Sequence, residues 1–175
     1  IIATHRLLQA TLDTNTVDGG FIYLSTSSVY GAKATGTEHT EPKPASYYGV
    51  TKLAAEHLVM AASRQHKIDV CSLRLFSVYG PRERPEKLYP RLIECILNDR
   101  EFTLYDGSYD HYRSYTYVGD VLAGMVLALE NMSKCRGEVF NIGSRISITT
   151  REGIRIVEDL LGRQARIKII PKRPG

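Results

Sequence analysis

The sequence predicts an α/β fold built around a parallel sheet. Short apolar runs rich in strand-forming residues alternate with amphipathic helical stretches along the chain. Such alternation is typical of units in which helices connect parallel strands. The 175 residues, 43% hydrophobic and 24% charged, suffice for one domain with its own core, or for one and a half.

The first half of the chain is predicted to contain two strands and two helices. In order these are the end of an amphipathic helix at 2–12, a strand at 21–26, a helix at 47–67 and a strand at 69–76. The strands are apolar runs, the first preceded by Gly19-Gly20 and the second followed by Gly80-Pro81. Ser46 fits the N-cap of the long helix, because its hydroxyl can accept a hydrogen bond from a free backbone N–H group. The polar segments 13–20 and 32–46 are predicted loops.

The second half is predicted to contain four strands and three helices. They are a helix at 87–99, strands at 102–105 and 112–117, a helix at 120–131, a strand at 138–142, a helix at 150–161 and a strand at 167–170. Gly162 is placed to end the last helix. Residues 81–115 are richer in Arg and Tyr than the preceding chain, which indicates a domain change near residue 80. This change divides the chain into 1–80 and 81–175.

Composition excludes several classes of protein and site. No stretch approaches 18 apolar residues, so no membrane span is predicted. The 23 basic and 19 acidic residues give a net charge of +4, and the basic residues are scattered, which argues against a nucleic-acid partner. Cys71, Cys95 and Cys135 are far apart and odd in number, so we expect no disulfide framework, no zinc site and a reducing, cytoplasmic location. The five histidines show no ligand spacing, and no metal is predicted.

Tyr48 and Lys52 lie four residues apart on the predicted helix and therefore share one face. A nearby ammonium lowers the pKa of a tyrosine toward the range of general acid/base catalysis. The pair alone is more simply an exposed tyrosine near a solvated lysine. The cluster Thr26-Ser27-Ser28 changes this interpretation, because it ends a buried strand, where parallel sheets collect ligands. The alternative for this cluster is a turn with local side-chain-to-backbone hydrogen bonds.

Several motifs together resemble a known family. In order they are Ser25-Thr26-Ser27-Ser28-Val29-Tyr30-Gly31, Tyr48-Gly49-Val50-Thr51-Lys52, Leu73-Arg74-Leu75-Phe76-Ser77-Val78-Tyr79-Gly80-Pro81-Arg82, Arg84-Pro85-Glu86, Tyr105-Asp106-Gly107, Arg113-Ser114-Tyr115-Thr116-Tyr117-Val118-Gly119-Asp120-Val121, Phe140-Asn141-Ile142-Gly143 and Arg173-Pro174-Gly175. With these motifs the chain resembles the extended short-chain dehydrogenase/reductases. Within them it is nearest to the NAD-dependent nucleotide-sugar epimerases and dehydratases, and among these to the UDP-sugar 4-epimerases.

The resemblance also implies an architecture. Residues 1–80 would be the C-terminal half of an NAD-binding Rossmann domain, a doubly wound parallel sheet. Residues 81–175 would be mainly a small α/β domain for the nucleotide sugar, with 119–143 packing back on the Rossmann sheet. Family members begin with a glycine-rich turn that holds the NAD pyrophosphate, and this sequence has no such turn. We therefore expect a truncated chain that is inactive alone, and a homodimer for the full-length protein.

The resemblance implies roles for individual residues. Tyr48 would be the acid/base at the sugar O4, Thr26 would hydrogen-bond O4, and Lys52 would hold the nicotinamide ribose and lower the pKa of Tyr48. Ser25 would join Tyr48 and Lys52 in binding the cofactor. The implied substrate-binding residues are Ser27, Ser28, Ser77, Arg84, Arg113 and Arg173.

Two of these substrate-binding residues carry particular expectations. Arg113 would bind the nucleotide diphosphate, because its fork suits phosphate better than a lysine would. For Arg84 a loop salt bridge is an equal alternative, and Ser77 stands where galactose-type epimerases tend to carry Asn.

The implied function is NAD-dependent epimerisation at C4 of a UDP-hexose, UDP-uronate or UDP-N-acetylhexosamine through a 4-keto intermediate. Similar dehydratases carry Thr-Asp-Glu at the strand exit and decarboxylases Thr-Ser-Glu. The sequence Thr26-Ser27-Ser28 lacks these carboxylates, which favours epimerisation. The alternatives are a 4,6-dehydratase or decarboxylase of the same family, and a non-catalytic NAD-sensing or scaffold protein on this fold.

Overall fold

The computed structural model describes residues 1–14, 20–32, 36–66 and 68–171. The helices are α1 (Ile2–Thr14), α2 (Tyr47–His66), α3 (Leu88–Leu97), α4 (Val118–Glu130), α5 (Met132–Cys135) and α6 (Thr150–Leu161). The strands are β1 (Phe21–Thr26), β2 (Val70–Leu75), β3 (Ser77–Tyr79), β4 (Glu101–Tyr105), β5 (Tyr112–Tyr117), β6 (Val139–Ile142), β7 (Ser147–Thr149) and β8 (Arg166–Ile170). Two single 3₁₀ turns occupy Ser27–Tyr30 and Ser108–Asp110.

The chain divides into two compact units. The first unit comprises Ile1–Val78 and Thr116–Gly143. The second comprises Tyr79–Tyr115 and the described residues from Ser144 onward. Each unit has its own hydrophobic core, and the two are described separately below.

The first unit contains a three-stranded parallel sheet in the order β1-β2-β6. The central strand β2 is an almost continuous buried run, as expected for a parallel strand covered on both faces. On one face α2 contributes Ala55, Val59 and Met60 to a core with β1 and β2. On the other face, side chains of α4 and α5 pack against Cys71 and Leu73. This arrangement confirms the predicted α/β fold class with a parallel sheet.

The register of this sheet places polar side chains in one row. Ser25 of β1 lies opposite Arg74 of β2, and Arg74 lies opposite Asn141 of β6. The row lies near the carboxyl ends of the strands, one residue before Thr26 on β1. Cys71, at the opposite end of β2, is fully buried, and burial raises the pKa of its thiol to about 11.

The second unit packs α3 and α6 against the parallel strands β4 and β8. Its core side chains are Leu92, Cys95, Ile96, Phe102, Leu104 and Ile154. The strand β5 pairs antiparallel with β7, so that Arg113 lies opposite Ile148. A capping box between Thr149 and Glu152 begins α6, and Gly162 ends it in the left-handed conformation at φ 62°. The predicted bounds of α6 and its C-terminal glycine are confirmed.

The described elements differ from the predicted ones at several points. The first helix continues to Thr14, so the predicted loop at 13–20 was wrong at its start. Polar side chains are satisfied within that helix: Gln9 donates to Asp13 at 2.8 Å, and Thr14 donates to the Ala10 carbonyl at 2.8 Å. The structure adds two 3₁₀ turns and the short elements β3, α5 and β7, which the sequence did not predict. The long helix is described to His66.

The described ranges contain neither a membrane-spanning helix nor a cluster of metal ligands. None of the helices there combines the length and apolar character needed to cross a bilayer. In the same ranges no three His, Cys, Asp or Glu side chains are arranged as metal ligands.

Candidate active site

Thr26 ends β1 and begins the 3₁₀ turn at Ser27–Tyr30. Its Oγ1 accepts a hydrogen bond from the Ser28 backbone N–H at 3.2 Å and donates to the Ser28 Oγ, also at 3.2 Å. Thr26 is 8% exposed, whereas Ser27 and Ser28 are half-buried. The turn with local hydrogen bonds, predicted as an alternative, is therefore present in the same residues that carry the candidate chemistry.

The first turn of α2 packs directly on this 3₁₀ turn. The Ser46 hydroxyl accepts a hydrogen bond from the Gly49 N–H at 3.1 Å, which confirms its predicted capping role. Gly49 is buried, and a methyl group on it would lie 2.7 Å from the Ser28 carbonyl oxygen. Only a residue without Cβ allows this approach. The adjacent Tyr48 is 58% exposed, so its phenol is open to solvent and to small molecules.

Lys52 is half-buried one helical turn after Tyr48. Its Nζ donates to the Leu24 carbonyl of β1 at 2.5 Å and lies 4.4 Å from the centroid of the Tyr23 ring. Burial lowers the pKa of Lys52, and the negative charge of Glu56 opposes this effect. Burial, Glu56 and Tyr48 together raise the pKa of Tyr23 to about 12.

These contacts bring the two predicted elements of the site together. The helix that carries Tyr48 and Lys52 lies against the end of β1, and Thr26 follows Leu24 by two residues. The Lys52 ammonium is bonded to the Leu24 carbonyl rather than to the Tyr48 hydroxyl.

A buried ion pair lies beneath these residues, and the sequence analysis missed it. Arg74 Nη2 donates to Glu56 Oε1 at 2.6 Å, and Ser72 Oγ donates to Glu56 Oε2 at 3.0 Å. Burial alone would raise the pKa of Glu56, but Arg74 and the hydroxyls of Ser25 and Ser72 outweigh burial and hold that pKa below its usual range. The available signals were an arginine inside an apolar strand and a glutamate four residues after Lys52.

The pair continues into a larger polar network. Arg74 Nη1 donates to Tyr30 Oη at 2.8 Å, and Tyr30 Oη donates to Asn141 Oδ1 at 2.8 Å. The backbone N–H of Asn141 donates to Glu38 Oε1 at 2.7 Å, which holds the pKa of Glu38 below its usual range. The network thus links α2, the 3₁₀ turn, β2, β6 and the loop that contains Glu38.

The remaining predicted residues lie in different places. In the first unit, Ser25 is buried beside Glu56, and Ser77 is half-buried at the start of β3. In the second unit, Arg84 is exposed, and the nearby ion pair joins Glu83 to Lys87 at 2.9 Å. That ion pair joins two residues near Arg84, and among the described residues Arg84 itself forms no salt bridge.

The other two predicted arginines have different outcomes. Arg113 is exposed on β5. Burial raises the pKa of the nearby Tyr89, and the positive charge of Arg113 only partly opposes this effect. Arg173 lies outside the described residues.

The second unit also contains a cavity of about 440 Å³ that the sequence did not predict. Tyr79, Tyr89 and Tyr115 line it together with aliphatic side chains of β7 and α6. The rings of Tyr89 and Tyr115 are tilted against each other with centroids 5.0 Å apart. A methyl group on Gly153 would lie 2.1 Å from the Tyr89 hydroxyl, so this glycine allows the close approach of α6.

Comparison with known proteins identifies a family for most of the chain. Residues 1–143 match the NAD dependent epimerase/dehydratase family. An uncharacterized UDP-glucose epimerase of Bacillus subtilis, YtcB, is 35% identical over a 176-position alignment that covers 100% of this chain and 54% of the relative. A dTDP-D-glucose 4,6-dehydratase of Dictyostelium discoideum is 30% identical over a 162-position alignment that covers 85% of this chain and 36% of the relative.

A solved structure is similar over the whole chain. The UDP-glucuronic acid 4-epimerase from Bacillus cereus, in complex with UDP-glucuronic acid and NAD, is 38% identical with a TM-score of 0.89. The similarity covers 100% of this chain and 55% of the epimerase. The chain thus spans about half the length, or less, of the proteins it matches.

Proposed function

The chain belongs to the NAD dependent epimerase/dehydratase family, and on this premise we propose that it carries the catalytic residues of a UDP-sugar 4-epimerase. One observation carries the choice of reaction. The 3₁₀ turn after β1 presents the hydroxyls of Ser27 and Ser28 and no carboxylate. Elimination across C5 and C6 needs a general acid and a general base there, and an unactivated serine is too weak for either role. Epimerisation at C4 needs neither group.

The family is NAD-dependent, and the residues of this chain fit such a cofactor. The Lys52 ammonium has three N–H donors, of which the described residues engage one, on Leu24. The remaining donors, with Ser25 and Tyr48 nearby, suit the hydroxyls of a nicotinamide ribose. When bound, NAD supplies the acceptor and donor of hydride at C4. We assign the first unit to the cofactor domain and the second to nucleotide-sugar binding.

The chain's own residues would move and place one proton. Tyr48 would take the O4 proton as C4 is oxidised to a 4-keto sugar and return it after the sugar has turned over. Thr26 would hold O4 by a hydrogen bond, and the Lys52 ammonium would hold the nicotinamide ribose. Ser27, Ser28 and Ser77 would contact the sugar.

Further residues of the chain support a nucleotide sugar as the substrate class. Arg113, Arg84 and Arg173 would bind the diphosphate through charge-assisted hydrogen bonds. The serine hydroxyls at the strand exit suit a hexose, a uronate carboxylate or an N-acetyl group.

A chimaera tests this function. The chain would replace the matched 55% of the Bacillus cereus UDP-glucuronic acid 4-epimerase. Purified chimaera would be incubated with UDP-glucuronic acid, UDP-glucose, UDP-N-acetylglucosamine and dTDP-glucose, and the products followed by NMR. We expect a C4 epimer pair from at least one UDP-sugar. A 4-keto-6-deoxy sugar would show a dehydratase instead, and released CO₂ a decarboxylase. NAD retained by the purified chimaera identifies a folded preparation.

A further inference from the structure

Glu56 and Arg74 are charged side chains that the proposed proton transfer does not use. They are 1% and 4% exposed, deep in the first unit. Removing two charges from water is costly, and their mutual attraction often only offsets that cost. A well-packed apolar pair would serve stability equally well. The pair therefore calls for an explanation in addition to stability.

Their contacts lead to both parts of the candidate site. Glu56 follows Lys52 by four residues and Tyr48 by eight, so the three side chains form one stripe along α2. Arg74 uses Nε and Nη2 on Glu56 and Nη1 on the Tyr30 hydroxyl. Tyr30 is the last residue of the 3₁₀ turn that begins after Thr26. One planar guanidinium thus bonds the acid/base helix and the hydroxyl turn at once.

We propose that Glu56 and Arg74 are positioning residues, which fix α2 and the Thr26–Tyr30 turn in the relative placement that catalysis requires. The proposal rests on the proposed epimerase function. The Arg74 fork holds Glu56 at 2.6 Å and Tyr30 at 2.8 Å on different nitrogens, an arrangement that a lysine cannot reproduce. Arg74 lies on the central, buried strand β2. Its hydrogen bonds therefore hold both Glu56 and Tyr30 against the interior of the sheet.

The pair also influences the charge of the site. Around the Lys52 ammonium lie Tyr23 on β1 and Glu56 on its own helix. Glu56 is the group that counteracts the effect of burial on the pKa of Lys52. Arg74 keeps Glu56 ionised and in place, so the same pair also favours the protonated form of Lys52.

Three variants separate positioning from stability. The double variant Glu56→Met/Arg74→Met replaces the pair by apolar side chains. Arg74→Lys keeps a cation beside Glu56 but loses the forked guanidinium that bonds two partners. Ser63→Ala is the control. Ser63 is also buried on α2 and donates to the Ile68 carbonyl at 3.0 Å, away from the network. Each variant would be measured for melting temperature, for kcat and KM in the chimaera, and for the pKa of Lys52 by ¹⁵N NMR of the 175-residue chain.

We expect the double variant to remain folded, with kcat reduced about 100-fold, since small displacements of catalytic groups cost that much. Its Lys52 pKa should fall below the wild-type value. Arg74→Lys should keep the Lys52 pKa but lose kcat, and Ser63→Ala should change neither. If the double variant keeps both the wild-type kcat and the wild-type pKa of Lys52, the proposal is overturned. If the double variant does not fold, a wild-type kcat in Arg74→Lys overturns it. If the unmutated chimaera makes no epimer, the proposed function fails, while the Lys52 titration still decides whether the pair controls this residue.

Discussion

At the scale of single residues, the proposed chemistry depends on one exposed hydroxyl. Tyr48→Phe in the chimaera should lower kcat by about 100-fold or more, the usual contribution of a general acid/base. Affinity for the UDP-sugar should be nearly unchanged, because the hydroxyl acts mainly in the transition state. Steady-state kinetics and calorimetric titration measure the two quantities.

The neighbouring Tyr47 is a matched control for this prediction. It is 93% exposed and begins the same helix. Tyr47→Phe removes the same atom one residue away and should leave kcat at the wild-type value. Activity of Tyr48→Phe within about tenfold of wild type would remove Tyr48 from the mechanism, since general acid/base catalysis contributes more than this.

A second prediction at this scale concerns the pH dependence of stability. Hydrogen bonds and the charge of Arg74 hold the pKa of Glu56 below its usual range, despite burial. The folded-state pKa is thus lower than the unfolded value of about 4.3, so the stabilisation is complete above that pH. It is lost as the pH falls through the folded-state pKa.

Thermal unfolding at pH 7 and pH 3 should show this directly. Wild type should lose melting temperature between the two conditions. Glu56→Gln should melt lower at pH 7 and lose less on acidification, because the titrating carboxyl is gone. Glu130→Gln, an exposed carboxylate at the end of α4, should behave as wild type. An equal acid-induced loss in Glu56→Gln would assign the pH dependence to other groups.

At the scale of elements, apolar pattern and boundary residues predicted the long segments well. The bounds of β1 and α6 coincide with the predicted 21–26 and 150–161, because glycines and capping residues mark their ends. The four-residue α5 and the three-residue β7 carry no periodicity of their own. The strand β7 exists because it pairs with β5, a contact that local sequence cannot specify.

The candidate site shows the same division. The shared face of Tyr48 and Lys52 was predictable because they lie four positions apart on one helix. The place of Thr26 was predictable because it ends an apolar strand. Glu56 and Arg74 lie 18 residues apart on different elements, so only the packing of α2 on β2 makes them a pair.

Gly49 permits the contact between α2 and the 3₁₀ turn, and its replacement makes an element-scale prediction. In an ordinary helix Gly→Ala stabilises by up to about 1 kcal/mol. Here the added methyl would lie 2.7 Å from the Ser28 carbonyl and 2.9 Å from the Pro44 Cβ. Because overpacking of this kind costs about 1–3 kcal/mol, we expect Gly49→Ala to lower the free energy of unfolding in urea. Displacement of the Ser27–Ser28 turn should also reduce kcat.

Gly124 of α4 is the matched control for this substitution. A methyl group there meets only the end of the Ile142 side chain, at 3.2 Å, which can move aside. Gly124→Ala should therefore have a small or favourable effect on the free energy of unfolding and none on kcat. Equal effects of the two substitutions would show that the contact with Ser28 is not what makes Gly49 necessary.

At the scale of the whole molecule, the first unit exposes apolar surface. Leu122, Val126 and Leu129 of α4 lie on one face of the helix and are each more than half exposed. Within the described ranges, β1 hydrogen-bonds to β2 alone, which leaves its other edge without a strand. Apolar patches and free strand edges are surfaces through which proteins associate. A solved relative of roughly twice this length is similar over the whole of this chain.

We therefore expect the isolated chain to self-associate as its concentration rises to about 100 µM, within the range where exposed apolar surface drives association. Sedimentation velocity at increasing concentration measures this directly. Leu122→Lys/Val126→Lys/Leu129→Lys places three like charges on the α4 face and should shift the chain toward monomer. Leu160→Lys on α6 of the second unit, where the leucine is 80% exposed, controls for the added charge and should shift it less. A monomeric wild-type chain at this concentration would contradict the prediction, and association unchanged by the triple variant would exclude the α4 face as the contact.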